Sequence, residues 1–210
     1  MKQSKPLLFI IAFFAIFFYC NSYSFAQTKP VPANSQRKDF YLLLKEADLK
    51  FTFPSGFKEI KAINNDYFSF DFALEEPQHN CEVWLMVRSQ KQNWLSYENA
   101  QNNKKTELAN PDSMYVDIGK AYAIGLTGSQ NFMVRNIPAD VLAEYNADAG
   151  KSYLLNLRDM QVIHHYKYAL IVSLQKNHTG TLIAIFFTNY KDPDFYRDVN
   201  CVSHSFKFTP

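Results

Sequence analysis

Four residues of the chain could form a metal site: His79, Cys81, Cys201 and His204. Thiolate and imidazole are the ligands that zinc favours, and four of them complete a tetrahedral site. Cys201 and His204 lie three positions apart, so in a helix they would share one face. His79 and Cys81 would need a bent turn to converge on the same ion. The pattern therefore allows a metal-dependent enzyme as one function of the chain.

Cys81 and Cys201 could instead form a disulfide, which excludes the metal site because it consumes both thiolates. The third cysteine, Cys20, lies in a predicted export signal that is described below. Cys81 and Cys201 are then the two cysteines of the mature protein, and a lone pair in an oxidising compartment is a reasonable disulfide. The bridge would close a long loop, and it would stabilise the fold by about 4–5 kcal/mol if its whole effect is on chain entropy. Two buried free thiols are the remaining interpretation of the same residues.

Asp140, Glu144 and Asp148 recur at steps of four, which in a helix would align three carboxylates on one face. Such a face could bind calcium weakly or contact a basic partner. No oxygen-rich loop of the kind that calcium prefers accompanies it, so a solvated face is the simpler interpretation. His164 and His165 are adjacent, and in an extended segment their side chains would point to opposite faces and could not serve one site.

The chain lacks the sequence signatures of the common catalytic sites. It has no G-x-S-x-G, no glycine loop for phosphate and no dinucleotide fingerprint. These observations favour a protein that is not an enzyme and that carries no cofactor. Its 13 tyrosines and 19 phenylalanines suit strand positions in a core, although exposed tyrosines could also bind a glycan.

The first 26 residues have the layout of a secretory signal peptide, with a basic start, an apolar run over 7–19 and a small residue at Ala26. The apolar run is shorter than the roughly 20 residues of a membrane-spanning helix. We therefore expect cleavage after Ala26, export to a periplasm or the cell exterior, and no integral membrane segment afterwards. Acylation at Cys20 is the alternative, although Tyr19 before it is bulky.

The 210 residues include 22 basic and 20 acidic side chains. Lys2 and Lys5 would leave with the signal peptide, so the mature protein is electrically balanced. It therefore lacks the basic field that nucleic-acid binding needs. Residues 27–35 are polar with two prolines and suit a flexible leader. Residues 36–210 are enough for a single domain with its own core.

The apolar pattern predicts an antiparallel sheet with helices at the start, middle and end of the domain. Alternation over 67–74 and 81–88 indicates a hairpin, and the apolar segments 168–174 and 181–188 indicate strands covered on both faces. Shorter strands are expected at 50–57, 121–127, 131–135, 153–157 and 206–208, and helices at 36–48, 94–109, 137–150 and 193–204. The expected fold class is α+β, with a largely antiparallel central sheet and helices on both faces, an α/β/α sandwich.

The order of these segments resembles the fold shared by PsbP, an extrinsic subunit of photosystem II, and the Mog family of Ran-binding import factors. The resemblance spans about residues 50–208. It is carried by the opening 51–57 (FTFPSGF), the hairpin that follows, the late strands within 168–188 and the closing segment 194–208. It implies a PsbP-like sandwich that in those relatives serves as a binding or assembly module. Fold alone does not carry a function across.

From these observations we expect an exported, non-catalytic binding or assembly module of the cell envelope. Its partner would be a protein or a small ligand and not nucleic acid. Two alternatives stay open. One is a metal-dependent enzyme that uses the set His79, Cys81, Cys201 and His204, and the other is a glycan-binding module that uses exposed tyrosines.

Overall fold

The most continuously apolar segments form the middle of a seven-stranded antiparallel sheet. The computed structural model describes residues 33–62, 64, 68–103 and 108–210. All residues of the strand Gly180–Thr188 are buried, and so are the first seven of Cys81–Ser89. The elements in chain order are α1 (Ala33–Glu46), β1 (Leu49–Phe51), β2 (Lys58–Ile60), β3 (Phe72–Glu76), β4 (Cys81–Ser89), α2 (Lys91–Asn103), α3 (Met114–Thr127), β5 (Met133–Asn136), α4 (Ala139–Glu144), β6 (Ala149–Asn156), β7 (Tyr168–Lys176), β8 (Gly180–Thr188), α5 (Pro193–Ser203) and β9 (Phe206–Phe208).

The strand order of the sheet is β2-β3-β4-β8-β7-β6-β5, and every neighbouring pair is antiparallel. The hairpin β3–β4 and the pair β7–β8 confirm the predicted pairings, although β3 lies at Phe72–Glu76, later than the predicted 67–74. β1 and β9 form a separate two-stranded ladder that joins the two ends of the domain. Among the described strands, β2 and β5 are therefore the two edges of the main sheet.

Helices cover both faces of the sheet, which confirms the expected α/β/α sandwich. On one face, α1, α5 and the β1–β9 pair enclose a core that includes Phe40, Phe72 and Phe195. On the opposite face, α3 encloses a second core that includes Trp84 and Leu126. Among the helices of the described ranges, none is long and apolar enough to cross a membrane.

Helix α5 is well determined by its own sequence. Asp192 caps it by accepting a hydrogen bond from the backbone N–H of Phe195 at 2.9 Å, and Pro193 occupies the first turn, where its missing N–H costs nothing. Phe195, Asp198 and Val202 are the buried residues of the helix, at spacings of three and four. The periodicity that buries two apolar side chains therefore also turns the carboxylate of Asp198 inward.

The strand predicted at 121–127 is wrong, because this segment is the second half of α3. Gly119, Ala123 and Leu126 are buried at spacings of four and three, which is the period of a helix and not of a strand. Gly128, in the left-handed region at φ 71°, ends the helix, and its N–H bonds to the carbonyl of Ile124. The neighbouring prediction at 131–135 is confirmed by β5.

The helix predicted at 137–150 is too long, since α4 covers only Ala139–Glu144. Gly150 is not its terminator but the second residue of β6. A Cβ atom at Gly150 would lie 2.9 Å from Ile137 Cδ1 and 3.0 Å from Leu142 Cδ2. This glycine lets α4 rest directly on the sheet, and that close approach is why the residue is small.

The predicted signal peptide, residues 1–26, and most of the leader 27–35 lie outside the described residues. Helix α1 begins at Ala33, so the last three residues of the predicted leader belong to the domain. The helix predicted at 94–109 corresponds to α2, which begins at Lys91.

Candidate functional site

The four residues of the predicted metal set do not come together. His79 lies in the turn between β3 and β4, where its ring contacts Asp198, whereas His204 follows α5 and its Nδ1 lies 2.8 Å from the carbonyl oxygen of Asn200. Cys81 points into the core, and the nearest polar partner of Cys201 is the carbonyl of Ser55. His79 and Cys81 lie near the same carboxylates, Glu76 and Asp198, whereas Cys201 and His204 contact backbone carbonyls. Among the described residues, the predicted set does not form a ligand group.

Both cysteines are free thiols in the structure, so the predicted bridge between Cys81 and Cys201 is not present in it. Cys81 is buried, and Cys201 is half-buried on α5. Burial raises the pKa of the Cys81 thiol above its ordinary value, and the nearby carboxylates of Asp198, Glu76 and Glu82 raise it further. Cys81 is therefore a neutral thiol at physiological pH and not an activated nucleophile.

A different group of ligand-type side chains surrounds His79. Glu76 is the last residue of β3, His79 belongs to the turn, and Asp198 comes from α5. One ligand atom from each lies within 4.8 Å of the others. We call these three residues the carboxylate–histidine cluster. Glu76 and Asp198 are only 6% and 4% exposed, so both carboxylates are withdrawn from solvent.

The imidazole of His79 joins the two carboxylates. Its Nδ1 lies 2.9 and 3.1 Å from the two carboxylate oxygens of Asp198 and 3.3 Å from Glu76 Oε2. The backbone N–H of His79 also donates to Glu76 Oε2 at 2.7 Å. The turn between β3 and β4 is thereby attached to α5 across 119 residues of sequence.

The tautomer of His79 follows from its outer neighbour. Nη2 of Arg197 lies 3.1 Å from His79 Nε2. Because a guanidinium can only donate, Nε2 must carry the lone pair, and Nδ1 then carries the proton that is donated to Asp198. Arg197 itself is exposed and forms an ion pair with Asp194 at 2.9 Å.

Burial raises the pKa of the Asp198 carboxyl above its ordinary value. The hydrogen bond and charge of His79 act in the opposite direction, the charge of Glu76 raises the pKa further, and Arg197 lowers it. Desolvation is the largest of these effects, because α5 and the sheet exclude water from the carboxyl group. The cluster therefore holds acidic groups in an environment that disfavours their charge.

His164 and His165 have carboxylate partners that the sequence did not indicate. Both residues follow a short 3₁₀ turn and have left-handed backbone angles, with φ 52° and 59°. His164 Nδ1 lies 2.9 Å from Oε2 of Glu82, while Oε1 of that buried carboxylate accepts from the indole N–H of Trp84. His165 contacts Asp159 on the surface. The segment is a turn and not extended, so the expectation based on alternating faces does not apply.

The predicted acidic face of Asp140, Glu144 and Asp148 does not form, because α4 ends at Glu144. Asp148 precedes β6 and makes an ion pair with Lys176 at 3.1 Å. It also accepts a hydrogen bond from the backbone N–H of Asn177 at 2.8 Å. This carboxylate fixes the turn between β7 and β8 and does not contribute to a cation surface.

The two sheet edges differ in how their backbone groups are paired. At the β2 edge, the side chain of Gln36 on α1 donates to the carbonyl of Ile60 at 2.9 Å and accepts from the N–H of Ala62 at 2.8 Å. Arg37 adds an ion pair to Glu59 at 2.7 Å. Helix α1 therefore closes this edge, and we call β2 the closed edge.

All four residues of β5 are exposed, and its pairing with β6 fixes which backbone groups face outward. The N–H of Ile137 bonds to the carbonyl of Gly150, so Ile137 and, by the antiparallel alternation, Arg135 and Met133 direct their backbone groups to β6. Val134 and Asn136 direct theirs away from the sheet. No hydrogen bond from the described residues reaches these outward groups, and we call β5 the open edge.

A groove accompanies the open edge on each face of the sheet. The first, of about 540 Å³, lies between the sheet and helices α4 and α5, and the second, of about 340 Å³, lies on the α3 side. The first is lined by residues that include Arg135, Ile137, Val172, Tyr196, Val199 and His204. The second is lined by Val116, Lys120, Gln130, Phe132, Val134, Lys151 and Tyr153. The sequence predicts a strand at 131–135, but no residue pattern indicates that this strand lies at an edge of the sheet.

The exposed tyrosines of the described residues lie on or next to three different elements. Tyr41 lies on α1, Tyr190 follows β8, and Tyr196 lies on α5. Among the ring contacts of the described residues, none joins two of these three side chains.

No protein-family profile matches the chain, and no curated protein matches it either. The resemblance to PsbP and the Mog family therefore stays a prediction from the order of the segments.

Proposed function

We propose that the protein is an exported, non-catalytic binding or assembly module of the cell envelope, and that it takes up an extended, acidic segment of a partner protein as an additional strand beside β5. The observation that supports this proposal is the open edge, where Val134 and Asn136 present backbone groups that no described residue pairs. An extended peptide added to such an edge gains main-chain hydrogen bonds, and pockets beside the strand select its alternate side chains.

The two grooves supply such pockets. Side chains alternate across β5, so Arg135 faces the first groove and Val134 faces the second. A peptide strand beside β5 would place its own alternate side chains in the same two grooves. The apolar parts of the linings, such as Val172 in one groove and Phe132 in the other, favour a β-branched or aromatic residue at these positions.

The charges around the open edge favour an acidic peptide. Arg135, Lys120 and Lys151 line the grooves, and Glu144 is the single acidic residue of the two linings. A second copy of the chain is a poorer occupant, because β5 itself reads Met-Val-Arg-Asn and brings a basic residue but no acidic one. Complementary charge speeds encounter and excludes wrong partners more than it adds affinity.

The test uses an end-blocked peptide of alternating valine and glutamate, with a valine–lysine peptide of the same length as its control. We expect the valine–glutamate peptide to shift the backbone amide signals of Val134 and Asn136 in a ¹⁵N NMR titration, and to shift that of Arg135 much less. Binding of both peptides alike would overturn the acidic specificity. Shifts elsewhere on the protein, or self-association through β5 without peptide, would overturn the proposed occupant.

A pair of proline substitutions tests the register. Val134→Pro removes an outward N–H and should abolish peptide binding while the midpoint of thermal unfolding hardly changes, since edge strands tolerate proline at such positions. Arg135→Pro removes an N–H that bonds to β6 and should lower the midpoint. Peptide binding that survives in Val134→Pro would contradict the proposal.

Export is supported by the sequence of residues 1–26. N-terminal sequencing of the protein from its native cells should give Gln27 as the first residue. A product that retains Met1 would overturn the proposed compartment without affecting the peptide-binding test.

A further inference from the structure

The carboxylate–histidine cluster contains more hydrogen-bond acceptors than donors. Glu76 and Asp198 bring four carboxylate oxygens to one nearly closed place. Within the described chain, their hydrogen-bond donors are the backbone N–H and the Nδ1–H of His79. The Nδ1–H faces three oxygens within 3.3 Å; Glu76 Oε2 also accepts the backbone N–H of His79, so the two oxygens of Asp198 share one proton.

The cluster also lacks positive charge. Two carboxylates face one imidazole, so with both carboxylates ionised the cluster keeps a net negative charge even if the ring is protonated. Arg197 lies beside the ring but is exposed and paired with Asp194. Buried carboxylates of this kind are either protonated, paired or bound to a metal ion. A divalent cation would neutralise both carboxylates at once.

The positions of the ligand atoms suit a small cation. Bonds of about 2.0–2.2 Å in a tetrahedral site separate neighbouring ligand atoms by roughly 3.4 Å. Nδ1 of His79 lies 2.9 Å from Asp198 Oδ2 and 3.3 Å from Glu76 Oε2. The three side chains come from a strand end, a turn and a capped helix, and His79 is 24% exposed in its side chain, which leaves a path for entry.

We propose that Glu76, His79 and Asp198 bind a divalent cation of the zinc type, through Nδ1 of His79 and one oxygen from each carboxylate. Imidazole with two carboxylates is a donor set that such cations accept, and solvent would supply the fourth ligand. This site shares only His79 with the set predicted from sequence. It is independent of peptide binding at β5.

Metal binding requires a tautomer change at His79, and this assigns a role to Arg197. Nδ1 must give up its proton to bind the cation, and the ring then carries its proton on Nε2. An Nε2–H would meet the guanidinium of Arg197, which is also a donor and is 3.1 Å away. Arg197 must therefore turn outward on binding, and it opposes the cation by charge as well.

The test is calorimetric titration of the full chain with zinc chloride, after removal of metal by chelator and dialysis. We expect one Zn²⁺ per chain. His79→Gln should weaken zinc binding by at least about 100-fold. This is more than the loss typical of a residue that contacts a metal ligand but does not bind the metal itself. Arg197→Gln should strengthen binding several-fold. This side chain is exposed, so the variant should fold even if a core variant does not.

The matched control is His165→Gln, which removes a surface histidine that is also paired with a carboxylate, Asp159. Its affinity for zinc should equal that of the wild type. Equal losses in His79→Gln and His165→Gln would show adventitious surface binding and overturn the proposal. No binding to the wild type, or weaker binding in Arg197→Gln, would overturn it as well.

Discussion

The two edges of the sheet differ in whether their outward backbone groups have hydrogen-bond partners. At the closed edge, Gln36 of α1 satisfies backbone groups of Ile60 and Ala62. At the open edge, Val134 and Asn136 keep their outward groups free of partners among the described residues. Unprotected edges promote association, and natural proteins usually cover or charge them. An edge that is left open beside two grooves is therefore a candidate for function.

The two halves of the sheet also differ in how tightly their helices pack. The half near the closed edge lies under α1 and contains the buried carboxylates of Glu76 and Glu82. The half near the open edge lies under the short α4 and leaves grooves on both faces. Equivalent substitutions in the two halves should therefore lower the free energy of unfolding by unequal amounts.

The largest effect should come from Gly180→Ala, compared with Gly150→Ala. A Cβ at Gly180 would lie 2.8 Å from Ala47 Cβ, 3.1 Å from the Ala47 carbonyl and 3.2 Å from the Arg88 carbonyl, so backbone must move. At Gly150 the three nearest atoms are the ends of flexible side chains. We expect losses of about 3 and about 1 kcal/mol in the free energy of unfolding, within the range for overpacking.

Urea denaturation of the two variants measures these losses, with an unchanged slope as the control for the unfolded state. Equal losses would mean that α4 rests on the sheet as rigidly as α1 does. A larger loss for Gly150→Ala would reverse the comparison between the two halves.

A smaller effect is expected from Gln36→Ala, which opens the closed edge. The variant leaves the carbonyl of Ile60 and the N–H of Ala62 without their partner and should lower the free energy of unfolding by roughly 1–2 kcal/mol. Hydrogen exchange at the Ala62 amide should become faster. The control Lys38→Ala changes an exposed residue on the same helix and should stay within about 0.5 kcal/mol of the wild type. Unchanged protection of Ala62 would show that Gln36 does not close the edge.

The central strands could be predicted because their sequence pattern is local. The runs at 81–88, 168–174 and 181–188 are mostly apolar and rich in β-branched and aromatic residues, which favours covered strands. The strand prediction at 121–127 is wrong because the aromatic and β-branched residues of this segment favour a strand. The residues that pack, Ala123 and Leu126, follow a helical period that begins outside that segment, at Gly119.

The candidate sites could be predicted only in part, because they depend on pairing between distant segments. His79 and Asp198 are 119 residues apart, and nothing near either residue indicates the other. Asp198 is the buried polar position in an otherwise apolar helix stripe, which is the one local signal that could have marked it. The open edge is a property of the whole strand order, so no single segment could reveal it.

The smallest predicted effect concerns the buried carboxyl group of Asp198, in the half of the domain near the closed edge. The variant Asp198→Asn tests it in the presence of a chelator. The folded state raises the pKa of Asp198 above its ordinary value of 3.8. The native protein therefore holds this proton more tightly than the unfolded chain does. The favourable contribution of Asp198 to the free energy of unfolding is fully present below the ordinary pKa. It is lost as the pH rises through the raised pKa of the folded state.

We therefore expect the free energy of unfolding of the wild type, relative to Asp198→Asn, to fall as the pH rises upward from about 4. Urea denaturation at several pH values measures this difference. Asp194→Asn, an exposed change in the first turn of the same helix, is the matched control and should keep the wild-type pH dependence. A difference that rose with pH would mean that the imidazole of His79 outweighs the burial of Asp198. The surroundings of Asp198 would then stabilise the charged carboxylate, although they exclude water from the group.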